Sequence, residues 1–422
     1  MALLAIVAGA AALIYRSQSE QHVDPFSSPA IIQTPDAFDR PYATDTNKAT
    51  PRTVAFPFKT GDRVAWIGSS STYIGVWSNT MQFLLNTRHP ELNLSFSRHS
   101  VGGGTYGVGL KRLPDWLERS HPTLVVFNYG ANDAMFGQRN IDTFHGWMRA
   151  CTDRAKRSGA RVIHMTPQSG DIRASGPASH YRRLHYSDDM LAFCKTNAWD
   201  AVDVFHPLDQ LQTESQKLNP NFSLNADIIH LTDSAYVAWG FYLYDSLNPP
   251  PSDSTLELDA RAKKVIAAHN CSAKFVESTA LLTFEREDDV LPILPPDPLP
   301  EDNPFRNRIA AKPSFGPALV ASADAHKLPP RAFVPLEKHA QYLLKISGLE
   351  PGIFELACNG KPVGTTDQAH LAAGINLNTL YLDAGLPSPW ESTAEALWHG
   401  SRLHELPTRK MTFTLSRAAS TR

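Results

Sequence analysis

From about residue 60 to residue 248, short apolar runs rich in β-branched and aromatic residues alternate with longer amphipathic stretches. This alternation restricts the fold more than any other feature of the chain. The runs VAWIG (64–68), LSFSRH (94–99), TLVVFNYG (123–130), RVIHMTP (161–167) and AVDVF (201–205) read as strands. The stretches near 76–88, 106–119, 141–158, 184–197 and 232–246 read as helices. Strand and helix in succession build βαβ units, hence a parallel sheet. The runs are largely continuous in apolar residues, the pattern of strands covered on both faces. The expected class is α/β, a three-layer α/β/α parallel sheet.

Open parallel sheets bind ligands beyond the carboxyl ends of their strands, and four such ends carry distinctive residues. Gly68-Ser69-Ser70-Ser71-Thr72 follows the first run. A Ser on a tight strand-to-helix turn projects its hydroxyl above the sheet edge, beside backbone N–H groups. Taken alone, a Gly-Ser run is most often a turn or a helix cap. After the second run, Gly102, Gly104 and Gly107 match G-x-G-x-x-G, the dinucleotide-binding fingerprint. That fingerprint belongs after the first strand of its unit, with an acidic residue about twenty positions on, and neither condition holds here. The other readings are a flexible loop, or a loop whose N–H groups face an anion. Gly130-Ala131-Asn132-Asp133 closes the third run. An Asn amide there can donate to an oxyanion, although Asn-Asp at a strand end is ordinarily a cap. Finally, Asp227-Ile228-Ile229-His230 stands just before a helix. Asp-x-x-His spacing lets the carboxylate accept from one imidazole nitrogen while the other faces a nucleophile.

With Ser, Gly, Asn and Asp-x-x-His in this order at successive strand ends, the chain resembles the SGNH hydrolases, also called GDSL-type esterases. The resemblance covers about residues 60–248 and includes Gly109-Leu110-Lys111-Arg112-Leu113. It implies a flavodoxin-like fold and a serine ester hydrolase. Carried over residue by residue, it makes Ser70 the nucleophile, His230 the general base and Asp227 the group that orients it. The N–H groups of Ser70 and Gly103 and the amide of Asn132 become the oxyanion hole. The chemistry is coherent. A Ser hydroxyl is unreactive until a base takes its proton, and His has a suitable pKa. The oxyanion needs preorganised donors, each worth about 3 kcal/mol of the barrier. Three positions depart from the family: Ser69 and Gly104 stand where Asp is usual, and Arg98 where Asn is common. The run of three serines also leaves Ser69 and Ser71 as alternative nucleophiles. No organic cofactor and no metal are implied, and the 16 His include no H-E-x-x-H. The expected partner is a small-molecule or glycan ester, foremost a carbohydrate or small-acyl O-ester. The alternatives are a catalytically degenerate glycan-binding protein and an acyltransferase using the same triad.

The rest of the chain is read by composition. Residues 2–15, ALLAIVAGAAALIY, are almost wholly apolar. A spanning helix needs about 20 residues, so this length suits a signal-peptide core. No Lys or Arg precedes it and Arg16 follows, which suits a short anchor of reversed orientation. The expectation is a signal peptide or membrane anchor over 1–20, an extracytoplasmic location, and a polar linker over 21–58. The hydrolase-type region is placed at 59–248, and a smaller accessory α+β region at 251–422. Within the latter, LELDARAKKVIAAHN (256–270) reads as helix and STALLTFER (278–286) as strand. Segment 288–336 is Pro-rich and extended. Residues 342–360 read as a hairpin or meander around Glu350-Pro351-Gly352 and Asn359-Gly360, and the last sixty residues as mainly helical. Basic and acidic side chains number 40 and 42, and this balance excludes the basic stripe of a nucleic-acid binder. Four cysteines in 422 residues are no disulfide scaffold and read as buried thiols. Trp66, Trp77, Trp116, Trp239, Trp390 and Trp398 read as packing residues, and Glu287-Asp288-Asp289 as a solvated loop.

Overall fold

A computed structural model describes residues 54–135, 141–296, 336–406 and 409–418. The segments expected to be a signal peptide or anchor and a linker, up to residue 53, and the Pro-rich stretch from 297 to 335 lie outside these residues.

Five parallel strands form the central sheet: β1 (Arg63–Gly68), β2 (Ser95–Ser100), β3 (Leu124–Asn128), β4 (Arg161–Met165) and β5 (Asp200–Val202). Their order is β2-β1-β3-β4-β5, so the chain reverses direction across the sheet at β1 and β3. Such a switch point opens a crevice above the strand ends. Gly68 pairs with Ser100 on one side and Asn128 on the other, which brings the loops after β1, β2 and β3 together at that crevice. Side chains alternate strictly along β1. Val64 and Trp66 join the core under helices Val76–Arg88, Phe205–Leu218 and Asp233–Ser246. Ala65 and Ile67 join the core under helices Tyr106–Ser120, Ile141–Arg157 and Pro177–Thr196. The result is the three-layer α/β/α arrangement expected from the continuous apolar runs. Helix Phe205–Leu218, to which the sequence reading assigned no element, follows β5 directly. Trp77 stacks on Trp239 at 5.6 Å and meets Trp66 edge-on at 5.4 Å, a packing role as expected.

The C-terminal region is built from two sheets. One has the order β13-β10-β6-β7, using β6 (Ser254–Asp259), β7 (Lys264–His269), β10 (Tyr342–Ser347) and β13 (Ile375–Asn376). The other has the order β12-β11-β14-β9-β8, using β8 (Cys271–Phe275), β9 (Leu282–Asp288), β11 (Ile353–Cys358), β12 (Lys361–Asp367) and β14 (Lys410–Arg417). Alternate residues of both, among them Leu256, Leu258, Phe284, Leu344, Ile346, Phe354, Leu356, Phe413 and Leu415, enter one shared core.

Four expectations are corrected here. Residues 256–270 are not a helix but the hairpin β6–β7: Leu256 and Leu258 alternate inward, and the charged stretch is turn and solvent-facing edge. β10 and β11 do not pair with each other. β10 runs parallel to β6, and the Glu350-Pro351-Gly352 turn carries the chain from one sheet to the other. The hairpin at Asn359-Gly360, with φ of 48° and 77°, joins β11 to β12 instead, since that turn needs positive φ at both residues. The last sixty residues contain three short helices, but β14 lies between β11 and β9. Finally, Asp288 is not in a solvated loop. It is fully buried, accepting from Arg286 Nε (3.0 Å), Ser254 Oγ (2.6 Å) and Tyr342 Oη (2.6 Å), because Arg286 shares its strand face and supplies the countercharge.

The two regions meet along helix Val76–Arg88. Arg88, 1% exposed, donates to the carbonyls of His339 (2.7 Å) and Ile293 (3.0 Å). Leu291 N donates to Thr87 O at 2.7 Å. Asp245 takes His339 Nε2 at 2.6 Å, together with Lys338.

Candidate active site

The turn after β1 is tight because Gly68 has no side chain: a Cβ there would lie 2.2 Å from Thr72 Oγ1 and 2.6 Å from Asn128 O. Ser69 is the N-cap of the short helix Ser70–Ile74, although its hydroxyl makes no capping bond. The N–H of Ser70 is thus one of the first-turn donors that a helix cannot satisfy internally. The helix stops at Gly75 with φ of 85°. Here the guanidinium of Arg98 packs against the backbone, so that a Cβ would fall 1.8 Å from its Nη1. The same Nη1 donates to Asn79 Oδ1 at 3.1 Å. Arg98, one of the departures from the family pattern, therefore clamps the back of the turn that carries Ser70.

Asp227 and His230 form a compact loop. Asp227 Oδ1 accepts from the N–H groups of Ile229 (2.8 Å) and His230 (2.6 Å), and Oδ2 lies 2.7 Å from His230 Nδ1. Burial alone would raise the Asp227 pKa. The bonds from the His230 ring and from the two N–H groups outweigh it and hold the carboxyl below its ordinary value. Opposite an ionised carboxylate the proton belongs on Nδ1, which leaves Nε2 as an acceptor. His230 Nε2 lies 2.9 Å from Ser70 Oγ.

The two alternative serines are differently engaged. Ser71 is buried and accepts from Gln168 Nε2 and Tyr236 Oη, each at 3.3 Å. Ser69 is buried at the cap position. A second Asp-x-x-His, Asp203 to His206, also lies beyond a strand end. Its imidazole is held on both sides, with Nδ1 2.7 Å from Asp203 and Nε2 3.2 Å from Asp188. Burial opposes its charge, but Asp188 and Asp203 prevail and push the pKa up to about 9. A protonated imidazole is no base at neutral pH.

The glycine loop and Asn132 follow β2 and β3, the two strands that flank β1. Gly102 and Gly103 are exposed, the latter at φ of 70°. Asn132, 3% exposed, donates through Nδ2 to Gly104 O at 3.0 Å, which commits one amide hydrogen and fixes the plane of the other. Asp133 passes for a simple cap residue in the sequence. It is fully buried and accepts from Tyr106 N and Gly130 N, both at 3.0 Å. It thereby ties the loop after β2 to the loop after β3. Burial pushes its pKa up to about 6 against those two bonds. The glycine spacing has a packing cause: Gly107 abuts the Trp147 ring, where a Cβ would lie 2.9 Å away.

Among the described residues no group of three or more His, Cys, Asp or Glu is placed to hold a metal ion, and no helix is long and apolar enough to cross a membrane. The four cysteines are free thiols, three of them buried.

The model of the GDSL-like Lipase/Acylhydrolase family matches residues 65–238. Among solved structures, the chain is similar to a gut microbial diltiazem-metabolizing enzyme, with 21% sequence identity and a TM-score of 0.63 over 82% of this chain and 78% of that one. A likeness that wide extends past the α/β region into the C-terminal sheets. An acetylxylan esterase from Geobacillus stearothermophilus aligns at 15% identity and a TM-score of 0.39, over 46% of this chain and 97% of that one. Comparison with curated proteins gave no match.

Proposed function

Since residues 65–238 belong to the GDSL-like lipase/acylhydrolase family and the protein is an ester hydrolase, we propose that it works as a serine esterase through Ser70, His230 and Asp227. The observation that carries this reading is the unbroken chain of contacts from Ser70 Oγ to His230 Nε2 (2.9 Å) and from His230 Nδ1 to Asp227 Oδ2 (2.7 Å). Ser70 Oγ adds to the ester carbonyl as its proton passes to His230 Nε2. The carbonyl oxygen becomes an oxyanion, bound by the N–H groups of Ser70 and Gly103 and the Asn132 amide. His230 then gives its proton to the departing alkoxide, leaving an acyl group on Ser70. A water molecule, deprotonated by His230, repeats the addition and releases the acid. Asp227 holds the ring in the required tautomer and stabilises its transient charge.

The substrate class we propose is a short-acyl ester on a bulky polar body, such as an O-acetylated carbohydrate. Ser70 and Asn132 are buried, whereas Tyr73, on the same short helix as Ser70, and Ile228, between Asp227 and His230 in the chain, are 51% and 41% exposed. Burial at Ser70 favours a small acyl group, and the exposed side chains offer a surface to a larger alcohol portion.

The test is hydrolysis of p-nitrophenyl esters of increasing acyl length, and acetate release from acetylated xylo-oligosaccharides. Ser70→Ala and His230→Ala are expected to lower kcat/KM by about 10³-fold or more, and Asp227→Asn by about 10³- to 10⁴-fold. Turnover that survives Ser70→Ala refutes the mechanism. A rate that climbs with acyl length up to octanoate refutes the substrate class.

A further inference from the structure

Gln168 lies in the loop after β4, a strand end to which the roles above assign no residue. Its side chain is 2% exposed. A primary amide has two hydrogens, and Gln168 spends one on each side of the crevice. Nε2 donates to Ser71 Oγ at 3.3 Å and to Ile229 O at 3.2 Å. Ser71 is the neighbour of Ser70, and Ile229 the neighbour of His230. One planar group thus spans the two segments whose spacing sets the Ser70–His230 contact. Those segments have no covalent link shorter than the 160 residues between Ser70 and His230.

The amide is itself anchored. Its backbone carbonyl accepts from Arg183 Nη1 at 3.2 Å, and Arg183 is fully buried. Two residues on, Gly170 packs against Asn225, where a Cβ would meet Oδ1 at 2.2 Å. Asn225 Oδ1 takes Asp171 N at 2.6 Å, and its Nδ2 donates to Asp227 O at 2.9 Å. The loop after β4 is therefore braced against the Asp227–His230 loop at two points, and at Gln168 the brace also reaches the serine turn.

We propose that Gln168 is a positioning residue that holds the Ser70 turn and the His230 loop in register, so that the imidazole meets the hydroxyl without reorganisation. This rests on the reading of Ser70 and His230 as nucleophile and base. A buried donor pair on a rigid loop is the kind of support on which sub-ångström placement of reacting groups depends.

The test compares the parent with Gln168→Met, which keeps the length and removes both hydrogen bonds, and with Gln168→Glu, which keeps the shape and turns a donor into an acceptor facing the Ile229 carbonyl. For p-nitrophenyl acetate, both are expected to lower kcat by about 10- to 100-fold with KM within about threefold, and to shift the acid limb of the kcat/KM profile. Independently of turnover, the imidazole nitrogen shifts of His230 are followed against pH in the same proteins. Both variants are expected to move the His230 titration and to speed exchange of its Nδ1 proton. Unchanged kcat and an unchanged His230 titration in a folded variant overturn the proposal, as does a lowered melting temperature with kcat intact. If the parent itself is inert, the esterase reading fails, and the His230 titration still decides the role of Gln168. If Gln168→Met does not fold, Gln168→Glu carries the comparison.

Discussion

Asp203–His206 and Asp227–His230 share one spacing and differ in what lies across the ring. A second carboxylate faces His206, and a serine hydroxyl faces His230. Motif spacing alone cannot separate them, because the partner across the ring comes from a distant element. The same limit applies to Asp133 and Gln168. Each is a single polar residue in a loop, and its burial and its acceptors or donors exist only after folding. Ser70, Asn132, Asp227 and His230 were singled out in the sequence through the family resemblance; Ser70 and Asn132 follow β1 and β3 closely, whereas Asp227 and His230 come after the helix Phe205–Leu218 and not at the end of β5. Asp133→Ala would leave the N–H groups of Tyr106 and Gly130 without their acceptor. Each buried donor so stranded costs about 1–3 kcal/mol, so the variant is expected to lose about 2–5 kcal/mol in urea unfolding. Because Asn132 and the glycine loop lose their tie, kcat should fall as well. A stability within about 0.5 kcal/mol of the parent would show that water replaces the carboxylate.

Among elements, the short helix Ser70–Ile74 depends on its surroundings. Five residues cannot sustain a helix alone, and this one is held by the Gly68 contact at one end and by Arg98 over Gly75 at the other. Gly75→Ala combines a left-handed backbone, costing an L-residue about 1–2 kcal/mol, with a collision that must displace the guanidinium. The expected outcome is a loss of at least that size in unfolding free energy, with a drop in kcat as the Ser70 turn shifts. Arg98→Ala in the same background should return part of the stability, and absence of such rescue would refute the clamp. The inner strands of the parallel sheet were legible because strands covered on both faces read as continuous apolar runs, while the edge strand β2, SFSRHS with no buried residue, was legible from its place in the alternation. In the accessory sheets β9, β10 and β11 were legible as strands, but β6, β7, β14 and the pairing were not, because the partners are remote in sequence. Leu256 and Leu258 fit a helix as well as a strand until β10 is brought alongside, and no local signal announces that β14 pairs with β9.

At the scale of the molecule, helix Val76–Arg88 is shared between the α/β region and the accessory sheets. Arg88→Met would strand the carbonyls of His339 and Ile293. It is expected to lower stability by about 2–4 kcal/mol within a single unfolding transition, and two separated transitions would show that the regions unfold independently. Histidines give the whole protein a pH window. Burial, followed by the charge of Arg88, lowers His89 to about 4. A depressed folded pKa means stability that is present above the unfolded value of about 6.5 and lost as pH falls toward 4. His206, raised to about 9, contributes stability that is full below about 6.5 and lost as pH rises through 9. The melting temperature is therefore expected to peak near neutrality. His206→Gln should flatten the alkaline limb and leave the acid limb, and an unchanged alkaline limb would refute the ion pair.

The position of β14 bears on biosynthesis. It enters its sheet between β11 and β9, yet it is synthesised after both. While the ribosome is still upstream of residue 410, β8 and β9 have no bridge to β11 and β12, and the apolar faces of Phe284 and Phe354 wait uncovered. A stop before Lys410 would remove the middle of the sheet rather than trim its margin. Nascent chains therefore expose both of these faces until β14 has left the ribosome.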